Sequence, residues 1–312
     1  MTHTLSEQGA HWPSAGVTLP GQGESRGWDL HCHTVFSDGT RTPEEMVAQA
    51  QQLGLAGVAI TDHDTAQGWQ EAGQASREYG LPVLMGTEIT ADDDGVSVHL
   101  LGYRYDPENA ALAELFRVTR QARLSRARRM VERISQDYPI SWDDVLAQVK
   151  EGSRTTVGRP HIADALVAAG VYQTRSQAFQ GVCSSRSKYY IPTPSPTAAQ
   201  VVQAVKTAGG VAVVAHPGAV NRNVRLLSDS QIGRLAQLGL DGLEVWHRDN
   251  PPEQRERLLA LAVRLRLLVT GGSDWHGKGK PNQMGEHTTA QTTVDEIIAR
   301  SASSEPAQGA IE

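Results

Sequence analysis

Histidine and aspartate residues form two pairs at distant points of the sequence, and one residue separates the members of each pair. His31 and His33 form the first pair, and Asp274 and His276 form the second. On a β-strand, side chains at i and i+2 point to the same face, so each pair can present two ligands to one site. Imidazole and carboxylate groups placed in this way are typical of a metal centre.

Five further residues of the same chemical types follow apolar runs elsewhere in the chain. They are Asp38, His63, Glu88, His99 and His216. Each lies at or near the carboxyl end of its run, which is where α/β barrels place their catalytic residues. Nine ligands are too many for one ion, so the set predicts three divalent ions with about three protein ligands each. The mixture of nitrogen and oxygen ligands favours Mn, Zn or Fe over Mg or Ca.

The segments that carry these residues alternate between strand and helix patterns. Strands are expected at WDLHCHT, AGVAITDHD, LPVLMGTEIT, GVSVHLLGY, VAVVAHPG, LDGLEVWH and RLLVTGGSDWHG. Helices are expected from Thr42 to about Leu53, from Gln70 to Tyr79, and from Thr197 to Gly209. Thr42 and Glu45 form a capping box with Pro43 at the first helical position. This alternation predicts an α/β fold with a parallel sheet or an α/β barrel.

The strand pattern is interrupted between residues 106 and 196. A long helix is predicted over ENAALAELFRVTRQARLSRARRMVERIS, and two shorter helical stretches and the Pro-rich IPTPSP follow it. Its apolar stripe contains Leu112, Leu115, Leu124, Val131 and Ile134. We expect an inserted helical subdomain that selects the substrate. Residues 26–105 and 197–300 would form the metal-binding unit, and residues 1–25 and 301–312 would be flexible tails.

The composition limits the class of protein. The chain has 312 residues and a net charge of −6, so any basic surface must be local. Its two cysteines, Cys32 and Cys183, lie far apart, which is typical of a reducing cytoplasm. No apolar run reaches membrane-spanning length, and no signal peptide is recognisable. We therefore expect a cytoplasmic protein that needs neither a membrane nor an obligate protein partner.

Six motifs resemble those of the polymerase and histidinol phosphatase (PHP) superfamily between Trp28 and Gly277. They are DLHCHTVFSDGT, ITDHDT, GTEIT, VHLLGY, VAHPG and GSDWHG. The resemblance implies a distorted (β/α)7 barrel with a trinuclear metal site. Carried over by motif, one ion is held by His31, His33, Asp274 and Glu88, a second by Glu88, His99 and His216, and a third by Asp38, His63 and His276. TDHDT, GRPHIA and AHPG further resemble the subfamily that acts on 3′,5′-nucleoside bisphosphates and, in some members, on the 5′ ends of short RNA.

These features together predict a metal-dependent phosphoesterase. A hydroxide activated by the metal ions would attack phosphorus in line, and no protein nucleophile is needed. The expected substrates are phosphate monoesters of small nucleotides, with 3′,5′-nucleoside bisphosphates as the leading candidates. One alternative is a 5′–3′ exonuclease that acts on short RNA. Another, from a different class, is a non-catalytic binding module.

Several residues outside the ligand set are candidates for binding or catalysis. Arg159, His161 and Lys188 are candidates for phosphate binding, although His161 could instead cap a helix and Lys188 could be an ordinary solvated side chain. Asp64 could act beside Glu88 as a catalytic proton donor, could orient a ligand, or could be a plain turn carboxylate.

The remaining charged residues receive simpler interpretations. Glu244 is expected to orient a metal ligand, and His3, His11, His247 and His287 are expected at the surface. The long helix carries Arg117, Arg120, Arg123, Arg126, Arg128, Arg129 and Arg133. We interpret this row as a solvated face, with a basic wall that attracts polyanions as the alternative.

Overall fold

The computed structural model describes residues 26–149, 157–222 and 225–302. In these ranges seven strands form one sheet in chain order. The strands are β1 (Arg26–Asp29), β2 (Leu55–Ile60), β3 (Val83–Asp93), β4 (Val96–Tyr103), β5 (Val211–Val214), β6 (Gly242–Trp246) and β7 (Leu268–Gly271). The helices are α1 (Pro43–Gln52), α2 (Trp69–Tyr79), α3 (Ala110–Ile134), α4 (Trp142–Leu146), α5 (Arg159–Ala168), α6 (Arg175–Gln180), α7 (Ala198–Thr207), α8 (Asp229–Gln237), α9 (Pro252–Leu265) and α10 (Gln291–Ala302).

Most neighbouring strands are parallel, and β4 is the exception. It runs antiparallel to both β3 and β5, whereas the pairs β1–β2, β2–β3, β5–β6 and β6–β7 are parallel. The reversal follows from a two-residue connection, since Asp94 and Gly95 alone join β3 to β4 and both have positive φ. An Asp-Gly loop of this kind makes a tight hairpin, whereas a parallel connection needs a longer crossover. The predicted α/β class is confirmed.

The two ends of the sheet approach each other without forming a ladder. Between β1 and β7 the described residues contain no strand pairing, but the segments that follow these strands meet. Cys32 forms an isolated parallel bridge with Trp275, and the backbone N–H of His33 donates to Trp275 O at 2.8 Å. The closed seven-stranded barrel therefore stays a prediction, while the bridge brings the two pairs of ligands together.

The predicted helix starts agree with the structure. The Thr42 side chain accepts a hydrogen bond from the backbone N–H of Glu45, and the Glu45 side chain accepts one from the backbone N–H of Thr42. Pro43 is the first residue of α1. Thr197 and Gln200 form the same reciprocal arrangement at the start of α7. These local caps satisfy backbone N–H groups that have no partner inside a helix. No helix in the described ranges is long and apolar enough to cross a membrane.

The described residues between β4 and β5 contain helices α3 to α7 and no strand, and residues 181–196 form turns and extended chain. Helices α3 to α6 surround an apolar cluster that contains Ile134, Ile162 and Leu166. The first turns of α3 instead pack Leu112 and Phe116 into the main cluster beside β3, β4 and α7. Because α3 contributes to both clusters, the status of this segment as a separate subdomain stays a prediction.

Candidate metal centre

The nine predicted ligands converge at one place in the fold. Eight of them are buried, and His99 keeps 27 % of its side chain exposed. Ligand atoms of eight of the nine form three overlapping groups, in each of which the atoms lie within 4.8 Å of one another. The groups are His31, His33, Glu88 and Asp274; His33, Asp38, His63 and His276; and His63, Glu88 and His99. His216 belongs to none of these groups, although its Nε2 lies 3.0 Å from Glu88 Oε1. Each group has the donor atoms that could hold a metal ion.

Glu88 lies at the centre of these groups. Its carboxylate oxygens lie close to one nitrogen of each of five imidazoles, those of His31 (3.2 Å), His33 (3.1 Å), His63 (3.3 Å), His99 (2.7 Å) and His216 (3.0 Å). Oε2 is the atom near His31 and His33, whereas Oε1 is the atom near His99 and His216. This division of the two oxygens between two sets of imidazoles supports the predicted bridging role.

Asp38 is the carboxylate of a separate group. Its Oδ1 lies 3.1 Å from His276 Nε2, 3.7 Å from His33 Nδ1 and 3.9 Å from His63 Nε2. The sequence motifs place His276 and His63 with Asp38, and the structure adds His33 to them. Asp38 therefore faces the same space as the first pair of histidines.

The donor atoms suit divalent metal ions. Asp274 Oδ1, His63 Nδ1 and His276 Nε2 are buried and make no hydrogen bond. Leaving one such atom without a partner costs about 1–3 kcal/mol, which coordination to a metal ion would offset. His31 Nε2 and His33 Nε2 also face each other at 3.1 Å, an arrangement that a shared cation would relieve.

The charges at the site suit metal binding as well. Burial alone would raise the pKa of Glu88, but His99 and His63 outweigh it and hold that pKa well below its usual value. Against the effect of burial, His276 and His63 hold the pKa of Asp38 well below its usual value, and Lys280 and Arg222 do the same for Asp274. Burial lowers the pKa of His276 to about 4, whereas neighbouring carboxylates outweigh burial and raise the pKa of His31, and that of His33 to about 9. Ionised carboxylates and neutral imidazoles are the forms that bind metal ions, so His31 and His33 would release protons when a metal ion binds.

Buried carboxylates outside the ligand set fix the loops that carry the ligands. Asp29 accepts from the backbone N–H groups of His31 and Gly285 and from the hydroxyl of Ser273, so it joins the ends of β1 and β7. Asp62 accepts from both the backbone and the hydroxyl of Thr34. These bonds hold the two ligand-bearing turns in fixed positions.

Glu244 contacts two predicted ligands directly. Its Oε1 lies 2.9 Å from His31 Nδ1, and its Oε2 accepts from the backbone N–H of His216 at 2.8 Å. His216 and Asp274 both have left-handed backbone angles, with φ of 33° and 54°. Such angles cost energy for residues other than glycine and persist where the surroundings enforce them. Glu244 is placed to orient ligands, as the sequence analysis expects.

A cavity of ≈ 970 Å³ opens beside the metal ligands, and its lining contains more cations than carboxylates, which are Asp38, Glu88, Asp92 and Asp249. The cations that line it are Arg123, Arg126, Arg159, Arg175, Arg222, Arg248 and Lys280. Arg123 is only 9 % exposed, so the interpretation of the whole α3 row as a solvated face is wrong for Arg123 and Arg126. Arg129 and Arg133, further along α3, are exposed as expected.

The structure separates the three candidate phosphate ligands. Arg159 lines the cavity, where its guanidinium lies over the rings of Phe179 and Tyr190 at 5.5 Å from each centroid. His161 is buried and its Nδ1 accepts from the backbone N–H of Gly158, which is the helix-capping alternative. Lys188 lies outside the cavity lining, 71 % exposed, and pairs with Asp137 at 2.9 Å. Of the three, Arg159 alone lines the cavity, while His161 lies close enough to the predicted ligand Asp38 for that carboxylate to act on its pKa.

The expectation of a surface position is wrong for His247. It is fully buried, its ring lies 5.2 Å from that of His216 between centroids, and its Nε2 has no hydrogen-bond partner. His287 is partly buried beside Arg255. His3 and His11 lie outside the described residues. Asp64 is buried, and its side chain is absent from the cavity lining.

Two cations that were not predicted from the sequence hold the predicted ligand Asp274. Arg222 Nη2 and Lys280 Nζ both donate to Asp274 Oδ2, at 2.6 and 2.9 Å. With Oδ2 occupied, Oδ1 is the oxygen that faces His31 and His33. The available signal was proximity in the sequence, since Arg222 follows the AHPG motif by a few residues and Lys280 follows DWHG.

Relatives of known activity match most of this chain. A family model described as "PHP domain" matches residues 29–176. Phosphoribosyl 1,2-cyclic phosphate 1,2-diphosphodiesterase of Eggerthella lenta is 34 % identical over 260 residues, covering 80 % of this chain and 94 % of that protein. The 3′,5′-nucleoside bisphosphate phosphatase of Chromobacterium violaceum is 30 % identical, covering 83 % and 90 %. The 5′–3′ exoribonuclease Rnm of Salmonella typhimurium is 30 % identical, covering 80 % and 85 %.

Solved structures show the same relationship. A protein of Bifidobacterium adolescentis with the inferred activity of a metal-dependent phosphoesterase has a TM-score of 0.87 and 66 % identity, covering 89 % of this chain and 97 % of that one. An amidohydrolase structure from Chromobacterium violaceum, with bound sulfate and no metal, has a TM-score of 0.77 and 28 % identity, covering 88 % and 96 %.

The chain therefore belongs to the PHP domain family, and the resemblance drawn from its motifs is confirmed. Within that family it is a metal-dependent phosphoesterase that uses divalent ions. The hydrolase interpretation is thus confirmed over the alternative of a non-catalytic binding module.

Proposed function

We propose that this protein hydrolyses phosphate monoesters of nucleotides that carry a second phosphate, with 3′,5′-nucleoside bisphosphates as substrates. The observation that carries the proposal is the pair Arg126 and Arg159 in the cavity beside the metal ligands. Among the described residues, no carboxylate forms an ion pair with either of them. Two partly buried cations without a carboxylate partner favour an anionic ligand, and arginine matches the geometry of phosphate.

The metal ligands are proposed to hold three ions of Mn, Zn or Fe. Such ions, when bound, supply an activated water and neutralise charge on the reacting phosphate. Glu88 would bridge two of the three positions, and Asp38 would serve the third. Arg222 and Lys280 keep Asp274 turned so that Oδ1 stays directed at His31 and His33.

The second phosphate is proposed to bind at Arg159 and Arg126. The rings of Phe179 and Tyr190 orient the Arg159 guanidinium, and contact with an aromatic face is favourable for a cation. Burial and the neighbouring Arg159 and Arg123 lower the pKa of Arg126 to about 9, which reflects the cost of crowding positive charge. A bound phosphate dianion would relieve that cost.

A second candidate function is the removal of nucleotides from the 5′ end of short RNA. The observation in its favour is that the row of arginines on α3 continues from the cavity to the surface. Arg126 lines the cavity, Arg129 and Arg133 are exposed, and Arg133 donates to the backbone oxygen of Tyr190 at the cavity wall. A strand of RNA could follow these cations away from the metal centre.

Phosphate release from matched substrates tests the proposal. The panel contains adenosine 3′,5′-bisphosphate, the two adenosine monophosphates, p-nitrophenyl phosphate and a short 5′-phosphorylated RNA. The bisphosphate should give the highest kcat/KM. Release of mononucleotides from the RNA with equal or higher kcat/KM would favour the exonuclease function instead, and failure to act on the RNA or on any of the nucleotides would refute both.

The variant Arg159→Ala tests the role of the second phosphate. One charge-assisted contact to phosphate is worth about 1.5–3 kcal/mol, so kcat/KM for the bisphosphate should fall by about 10–100-fold. The fall should be much smaller for p-nitrophenyl phosphate, which lacks the second charge. Arg117→Ala serves as the matched control, because the Arg117 side chain on α3 is exposed and pairs with Glu114. Equal losses on both substrates would contradict a role at the second phosphate.

A further inference from the structure

Asp64 is a buried carboxylate that follows the predicted ligand His63 directly. Its side chain is fully buried and its φ is 52°, in the left-handed region. Oδ1 accepts from the backbone N–H of Thr90 at 2.8 Å. Oδ2 accepts from the Thr90 hydroxyl at 2.9 Å and from Arg123 Nη1 at 2.7 Å. Both oxygens are thus engaged by protein donors, which does not suit a residue that hands a proton to substrate.

The partners of Asp64 connect two parts of the protein. Its backbone N–H donates to Glu88 O at 3.0 Å, and its own backbone oxygen accepts from Arg120 of α3. Thr90, which holds the carboxylate, lies opposite His99 in the β3–β4 ladder. Asp64 therefore joins α3 to the strands that carry the bridging glutamate and a second ligand.

Arg123 is held by an ion pair with Asp64, whereas Arg126 and Arg159 form no ion pair among the described residues. Together with Arg126 and Arg159 it forms the group of cavity arginines contributed by α3 and α5. Among the described residues, Asp64 is the carboxylate that pairs with any of the three. A β-carbon at Gly158, the residue before Arg159, would lie 3.6 Å from Arg123 Nη2, so Arg123 also packs against the start of α5. Without Asp64, Arg123 would be a buried charge with only the Thr90 hydroxyl as a partner, and no carboxylate would oppose its repulsion from the other two arginines.

We propose that Asp64 is a positioning residue for substrate recognition. It fixes Arg123 against the metal centre, and through Arg123 it holds the basic wall formed by Arg123, Arg126 and Arg159. The inference rests on the proposed function, in which that wall receives the second phosphate. Asp64 is not placed to contact substrate, so its effect must be transmitted through Arg123. This assigns a role to the second aspartate of the ITDHDT segment that differs from proton donation.

Kinetics of Asp64→Asn, Arg123→Ala and the double variant test this role. Asparagine keeps the size and one acceptor oxygen but removes the charge that holds Arg123. With adenosine 3′,5′-bisphosphate, Asp64→Asn should raise KM by about tenfold, on the scale of one lost charge-assisted contact. With p-nitrophenyl phosphate, kcat should stay near the wild-type value, and the bound metal should be unchanged. In the Arg123→Ala background the same substitution should have no further effect, as expected for residues that act through one contact. Asp295→Asn, an exposed change on α10, is the matched control.

Three outcomes would overturn the inference. A fall in kcat of equal size on both substrates, with KM unchanged, would indicate proton transfer. Lost metal or a lowered Tm accompanied by equal losses on both substrates would indicate a purely structural role. A full effect of Asp64→Asn in the Arg123→Ala background would show that Asp64 does not act through Arg123. Failure of the proposed function would appear differently, as equal kcat/KM for the two substrates in the wild-type protein, and the inference would then fall with it.

Discussion

Replacing Glu88 with glutamine removes one negative charge while nearly preserving the shape of the side chain. In the structure the two carboxylate oxygens face different imidazoles, Oε2 those of His31 and His33 and Oε1 those of His99 and His216. A glutamine presents one oxygen and one NH2 group, and the NH2 group donates hydrogen bonds and cannot ligate a metal ion. Whichever way the amide turns, one of the two sets loses its shared ligand.

The expected loss can be scaled from weaker perturbations. Removing a group that only orients a metal ligand costs about 10–100-fold in metal affinity. Removing a ligand should cost at least as much, which is about 1.4–2.8 kcal/mol or more for each affected ion. Since a single contact to charge that develops in the transition state is worth about 10²–10³ in kcat, we expect kcat/KM to fall by ~10³ or more.

Elemental analysis after dialysis, combined with phosphate release, measures both effects. Two further Glu→Gln variants serve as controls, and they differ in the expected loss of metal. Glu244→Gln removes a group that contacts His31 and the backbone of His216 and should give an intermediate loss of metal, whereas the exposed Glu114→Gln should give none. If Glu88→Gln keeps near-wild-type metal content and turnover, the bridging assignment is refuted.

Three further predictions concern the metal, the basic wall and pH. The purified protein should carry two to three transition-metal ions and lose phosphate release in excess chelator; at most one ion per chain with full activity under chelation would count against the ligand set. Lys188→Ala should leave kcat/KM for the bisphosphate within about twofold, because an exposed ion pair contributes little, whereas Arg126→Ala should lower it by about tenfold or more. Burial and Arg255 lower the pKa of His287 to about 4 from an ordinary value of 6.5, so the unfolded chain binds the proton first and stability should fall as the pH drops from 6.5 to 4. Thermal unfolding across that range should show a smaller fall for His287→Gln, and identical curves would contradict the shift.

The convergence of the candidate metal ligands could be predicted from the sequence because its signal is local. Most of these residues follow a short apolar run, His99 lies within one, and the i, i+2 spacing of His31 with His33 and of Asp274 with His276 is a property of the chain itself. The capping residues Thr42 and Thr197 are local in the same sense. Such features require no knowledge of which elements become neighbours in space.

The basic wall could not be predicted in the same way. Arg123 and Arg126 lie on α3 and Arg159 on α5, and their meeting depends on the packing of the two helices. The charge of a residue also does not show which way its side chain points. Lys188 pairs with Asp137 outside the cavity. His247 was misplaced for a related reason. It follows β6 without a motif, and its burial depends on distant partners such as Arg255, which donates to its backbone oxygen at 2.8 Å.

The metal ligands and the proposed substrate-binding cations have different physical requirements, which explains why they lie in different parts of the fold. Metal ligands must be held within fractions of an ångström, and they lie at strand ends fixed by buried carboxylates such as Asp29 and Asp62. Substrate cations need reach and charge, and α3 to α6 supply them. Among the polar contacts that join the parts are Asp64 with Arg123, and Arg175, which donates to Asp38 O at 2.9 Å while pairing with Asp164. Under the proposed function, we expect that changes in the helical segment alter the substrate while the metal ligands stay in place. The relatives agree with this reasoning, since proteins of about 30 % identity that each match over most of their length are named as a diphosphodiesterase, an exoribonuclease and a bisphosphate phosphatase.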